Sequence, residues 1–124
     1  MNNMFNYDFI GWCNDGKHDK VYVVIPIKSH GLKYGYEYVD YLTVWGRRGK
    51  KLQCQLKYTN IPRLGGTYED DSIEYFYTIS SIATLVNSKI KKGYQHVDRN
   101  KLDQVYPEFE QDLEKLAIWE SLKL

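Results

Sequence analysis

No apolar run in this 124-residue chain approaches the roughly 20 residues that a helix needs to cross a bilayer. Met1 to Ile10 carries Asn and Asp where a secretory leader has basic residues followed by an apolar stretch, so the expectation is an intracellular protein, cytoplasmic or nuclear, with no membrane partner. Cysteine is scarce. Cys13 and Cys54 are too far apart to read as a metal framework, and a reducing compartment leaves both as thiols with no assigned role. Walker loops, dinucleotide glycine patterns, nucleophile elbows and HExxH motifs are all missing. The three histidines, His18, His30 and His96, lie far apart and near turns or strand ends. One carboxylate cluster, Glu69-Asp70-Asp71 with Glu74, is of the kind that holds a divalent cation in nucleases and equally of the kind found in a solvated loop. These absences predict a non-enzymatic protein with no cofactor and no metal site. With no internal repeat or low-complexity segment, residues 1–124 make a single domain.

What the chain does have is tyrosine, twelve of them, on an otherwise ordinary soluble composition. The formal charge of +1 hides an uneven distribution. Residues 1–97 hold 13 Lys or Arg against 9 Asp or Glu, a net +4, and residues 98–124 hold 4 against 7, a net −3. Attraction to a polyanion must therefore come from a local patch, with a modest dependence on salt.

Hydrophobic periodicity predicts an α+β fold: an antiparallel sheet, one helix over about 81–92 packed on it, and an additional C-terminal helix over about 107–123. A short strand is expected over 5–12, followed by the Asn14-Asp15-Gly16-Lys17 turn. Lys20 to Lys28 is the clearest strand, with Val21, Val23, Ile25 and Ile27 on one face and Tyr22 and Val24 on the other; it ends at Pro26 or shortly after, and its composition permits burial on both faces. Ser29 to Gly35 is polar and glycine-punctuated. Strands over 36–45 and 52–58 form a hairpin, the second by alternation of Leu52, Cys54, Leu56 and Tyr58 with polar residues. Thr59 to Asp71 has the composition of a surface loop, and 73–79 returns to strand propensity. The first helix places Ile82, Leu85, Val86 and Ile90 on one stripe, gathers Lys89, Lys91 and Lys92 where the dipole favours cations, and stops at Gly93. Residues 94–97 fit a closing strand or an extended tail. Asp98 caps a turn at 99–105, and Pro107 suits the first position of the last helix. Leu102, Val105, Phe109, Leu113, Leu116 and Trp119 form its apolar stripe.

The strongest functional signal lies between the hairpin strands. Tyr41 to Trp45 has strand propensity, Gly46 and Gly49 supply backbone freedom, and Arg47, Arg48, Lys50 and Lys51 follow with no carboxylate between Leu42 and Lys57. An aromatic face beside an uncompensated positive field suits a sugar or base together with its phosphate. Equally, a core tryptophan with a solvated, charged hairpin tip gives the same letters.

Trp45-Gly46-Arg47 between two strands, followed by a helix and then Lys91-Lys92-Gly93-Tyr94, resembles the WGR domain. The leading strand Val21 to Ile27 resembles that family's opening strand, so the similarity covers roughly residues 20–97, with 98–124 as a C-terminal helical extension. The resemblance implies a compact sheet with a packed helix, found in DNA-break-sensing poly(ADP-ribose) polymerases and in smaller bacterial and viral proteins. It also implies binding near a DNA 5′ end, with Trp45 stacking on a terminal sugar, Gly46 allowing close approach and basic groups meeting phosphates. For Arg47 it leaves two roles open, because the family's arginine serves interdomain contacts as well as nucleic acid. Arg48, Lys50, Lys51 and the segment from Pro62 to Asp71 depart from the family pattern. No polymerase domain fits in the remaining residues.

The expectation is thus a stand-alone DNA-binding protein that recognises ends or breaks through Trp45, Gly46, Arg47, Arg48, Lys50, Lys51, Lys57 and Lys92. The alternative is an interaction module, an inhibitor or adaptor, that docks a protein partner through tyrosine-rich surface and the acidic C-terminal helix.

Overall fold

The computed structural model describes residues 7–33, 36–62 and 81–118. In chain order the elements are β1 (Phe9–Asn14), β2 (Asp19–Lys33), β3 (Tyr36–Arg47), β4 (Gln53–Pro62), α1 (Ser81–Lys91), β5 (Gln95–His96), α2 (Arg99–Val105) and α3 (Phe109–Glu114). The strands form one sheet in the order β4-β3-β2-β1-β5, antiparallel throughout. This is the expected α+β class, and residues 95–96 take the closing-strand alternative by pairing with β1.

Strand alternation gives β2 two apolar faces, and each is covered. Val21, Val23 and Ile25 join Ile10, Leu42, Val44, Leu102, Tyr106, Phe109 and Leu113 in a core beneath α2 and α3. Tyr22 and Val24 join Phe9, Val39, Tyr41, Ile82, Val86 and Tyr94 in a second core beneath α1. The molecule is three layers deep, and both helical stripes lie on the sheet. Each fully buried aliphatic side chain stabilises the fold by about 1.5–3 kcal/mol. Ile90 departs from its predicted stripe: it is 48% exposed, beside the point where α1 ends.

That end is a Schellman motif. Gly93, at φ +102°, lets its N–H reach the Ile90 carbonyl while the Tyr94 N–H reaches that of Lys89. The Lys-Gly-Tyr signature thus has a local physical cause: glycine reverses the chain and drops Tyr94 into the second core.

β1 spans Phe9–Asn14 where a strand over 5–12 is expected, and three further boundaries differ. β2 runs on through Pro26 to Lys33, because register shifts between Pro26 and Lys28 and between Ser29 and Leu32 let the ladder resume beyond an imino acid that cannot donate. β4 extends to Pro62 because Tyr36–Val39 of β3 pair with it, so tertiary pairing overrides loop composition. The C-terminal segment is not one helix over 107–123. Lys115 and Leu116 bond back only three residues, to Asp112 and Leu113, which tightens the chain and ends α3 at Glu114; residues 117–118 are helical again. Asp98 caps α2 as expected, accepting from the Lys101 N–H at 2.8 Å. The predicted strand at 73–79, the acidic cluster at 69–74 and Trp119 lie outside the described residues.

Candidate nucleic-acid interface

The β3–β4 turn is built by Gly49, whose φ of +79° at the third position fits the Lys50 N–H bond to the Arg47 carbonyl. Gly46, at φ +154°, has a different task. A Cβ there would stand 3.3 Å from Leu52 Cδ2 and 3.4 Å from its Cα, so the close approach it permits is made by the chain's own returning strand.

Register sorts the surrounding cations. Lys20 pairs with Arg47, Tyr22 with Trp45, Trp45 with Gln53 and Tyr41 with Lys57, which puts all of these on the α1 side of the sheet. Trp45 is half-buried and stacks on Tyr22, centroids 5.9 Å apart at 20°. The Lys89 ammonium lies 4.5 Å from the centre of the Tyr22 ring, and that of Lys20 lies 5.5 Å from the centre of Tyr94. Burial holds Lys89 below the ordinary lysine range, and Lys92, Lys57 and Lys20 push in the same direction. Among the described residues no carboxylate comes within 4.0 Å of Lys20, Arg47, Lys57, Lys89 or Lys92, and the Trp45 indole N–H has no hydrogen-bond partner.

The other predicted cations turn away from this face. Arg48 is not uncompensated: its guanidinium is paired in bidentate fashion with Asp19, with Nε to Oδ1 at 2.7 Å, and it also donates to the Val105 carbonyl. Asp19 further accepts the Trp12 indole N–H at 3.0 Å, and the Arg48 backbone N–H bonds to the Asp19 carbonyl at 3.1 Å. Arg48 beside Asp19 holds that carboxyl below the usual range. The neutralising acid comes from 29 residues upstream across the sheet, so inspection of residues 42–57 alone missed it. Lys50 and Lys51 line a cavity against α3 together with Asp112 and Lys115. The tip is anchored on that side by Tyr106, whose hydroxyl donates to Asp112 and meets the Gly49 backbone; burial first, and then Asp112, raise the phenol well above its usual range.

Of the eight predicted residues, Trp45, Arg47, Lys57 and Lys92 therefore share one face, with Gly46 at its rim. Arg48, Lys50 and Lys51 are diverted to the other side. Lys20 and Lys89 were missed, although the parity of Lys20 with Tyr22 was a readable signal. Lys89 was hidden because the helix dipole already accounted for it.

His18 rests against Asp15, His30 lies 2.8 Å from Asp40, and His96 stacks on Phe9. Among the described residues there is no group of three or more His, Cys, Asp or Glu placed to hold a metal, and no helix long and apolar enough to cross a membrane. Comparison with family models, with curated proteins and with solved structures gives no match, so the likeness to the WGR domain stands on its residues and their setting alone.

Proposed function

We propose that the chain is a non-enzymatic nucleic-acid-binding protein of WGR-like character that engages DNA, preferentially at ends or breaks, through the α1 side of the sheet. The observation that carries this is the gathering of Lys20, Arg47, Lys57, Lys89 and Lys92 around the Trp45–Tyr22 stack with no compensating acid among the described residues. Like charges held together in this way cost folding free energy and are relieved by a polyanion. Trp45 is the last residue of β3 to pair with β4, two residues before the strand ends, and a half-buried ring near the turn suits stacking on a nucleotide unit at a DNA end.

The alternative of partner docking through the C-terminal segment has less support. Phe109, Leu113 and Leu116 are buried against the sheet, Glu110 pairs with Arg99 at 3.1 Å, and Asp112 holds Tyr106 and Lys115. Gel shifts comparing blunt, nicked and closed-circular DNA at two salt concentrations test the proposal. Ends should bind best. Trp45→Ala should weaken end binding by ~1–3 kcal/mol, roughly 5- to 150-fold, and equal affinity of mutant and parent refutes the stacking role.

A further inference from the structure

We propose that the cavity between the β3–β4 turn and the end of α3 is a binding site for a small phosphate monoester, separate from the Trp45 face. Its volume is about 330 Å³, and Gly49, Lys50, Lys51, Leu52, Asp112, Lys115 and Leu116 line it. That size is at the lower end for ligand pockets and holds a phosphoryl group with a small organic substituent.

The charges select the ligand. Among the described residues three ammonium groups face one carboxylate, and that carboxylate is already engaged, one oxygen accepting the Tyr106 hydroxyl and the other lying 3.4 Å from Lys115 Nζ. Asp112 thus orients Lys115 and does not neutralise the pocket, whose described lining keeps the net +2 that a dianion matches. Neither Lys50 nor Lys51 has a carboxylate within 4.0 Å among the described residues. Lysines bind phosphate as mobile point charges, and the planar fork of Arg48, which could serve a phosphate equally well, is already committed to Asp19. Leu52 and Leu116 add an apolar wall for the substituent on the ester oxygen. Placement also separates this pocket from the nucleic-acid face, because it opens on the side of the sheet covered by α2 and α3.

Phenyl phosphate, phenol and inorganic phosphate, each titrated into the full chain with backbone amide shifts as the readout, test the assignment. Phenyl phosphate should saturably shift the amides of residues 49–52 and 112–116, inorganic phosphate should shift the same set at higher concentration, and phenol should shift none. The double variant Lys50→Gln with Lys115→Gln should weaken phenyl phosphate binding about tenfold or more. Lys51→Gln alone, which leaves the Asp112–Lys115 contact intact, should weaken it in the same direction. Trp45→Ala should leave it unchanged, so failure here is distinguishable from failure of DNA binding. Undiminished binding by the lysine variants, or shifts centred on Lys20, Trp45 and Lys89, would overturn the proposal.

Discussion

Trp12 and Trp45 flank the same end of β2 from opposite faces of the sheet, Trp12 paired with Val21 and Trp45 with Tyr22. Both stand among cations, yet their surroundings differ. On the side of α2 and α3, the Trp12 indole donates to Asp19, Asp19 holds Arg48, Arg48 reaches Val105, and Lys101 lies 5.2 Å over the Trp12 ring. On the α1 side, Trp45 stacks on Tyr22 without a hydrogen bond among the described residues, and the lysines around it meet other lysines. Around the two indoles the same residue types thus form a closed network on one face, where Asp19 compensates the cation, and lack such an acid among the described residues on the other. An acid arriving from a neighbouring strand decides between the two outcomes.

If the first face is architectural, damage to it should lower stability and spare DNA binding. The largest effect should come from Phe109→Ala. Phe109 is 1% exposed and makes edge contacts with Tyr106 and Tyr7 at 5.5 and 5.9 Å. Its truncation should cost ~3–5 kcal/mol in urea denaturation, while the fraction that stays folded binds DNA as the parent does. A stable variant with reduced DNA affinity would reverse the assignment of the two faces.

A smaller effect is expected from Asp19→Asn. Asp19 and Arg48 are each about a third exposed, at 37% and 34%, so solvent screening limits the loss to about 1 kcal/mol at neutral pH. The sign of the pH dependence follows from the depressed folded-state value. The carboxylate's stabilisation is complete above the ordinary Asp range near about pH 4 and disappears as pH falls through the lowered value. Acid denaturation curves of parent and variant should therefore converge at low pH. Affinity for DNA ends should change less than about twofold. A rise of several-fold would mean that Arg48, once released, reaches phosphate, and the two faces would then cooperate.

Periodicity in the sequence was sufficient for much of this architecture. Alternation from Val21 to Ile25 exposed a strand with two apolar faces, and Gly93 marked the end of α1. Asp98 marked the start of α2. The sequence was less informative wherever a distant segment decides. Pro26 reads as a strand end until the shifted pairing with β3 is seen, and Thr59 to Pro62 read as loop until β3 supplies a partner. Asp112 looks like one more acid on a continuous helix, yet it holds Tyr106 next to the point where that helix ends. For the candidate site, the indole and Arg47 were legible from local composition. The division of the hairpin cations between two faces was not, because Asp19 reaches Arg48, and Lys89 the Tyr22 ring, only through tertiary packing.

The finest distinction between the faces rests on Lys89. Lysine placed merely to complement a helix dipole should stabilise the fold, whereas lysine held among like charges for a ligand should not. Lys89→Gln is therefore expected to change unfolding free energy by less than about 0.5 kcal/mol, while lowering the salt dependence of DNA binding by about 0.9 in log–log slope. The pH responses should also separate. Burial and neighbouring lysines depress Lys89 in the folded state, so between that value and the ordinary 10.5 the unfolded chain binds more protons and stability rises with pH. DNA affinity should fall across the same window as the cation is lost, and both trends should vanish in the glutamine variant. If Lys89→Gln instead costs more than about 1 kcal/mol and leaves the salt slope intact, the ammonium over Tyr22 is a cation–π strut like Lys101 over Trp12. The two faces would then be architectural alike.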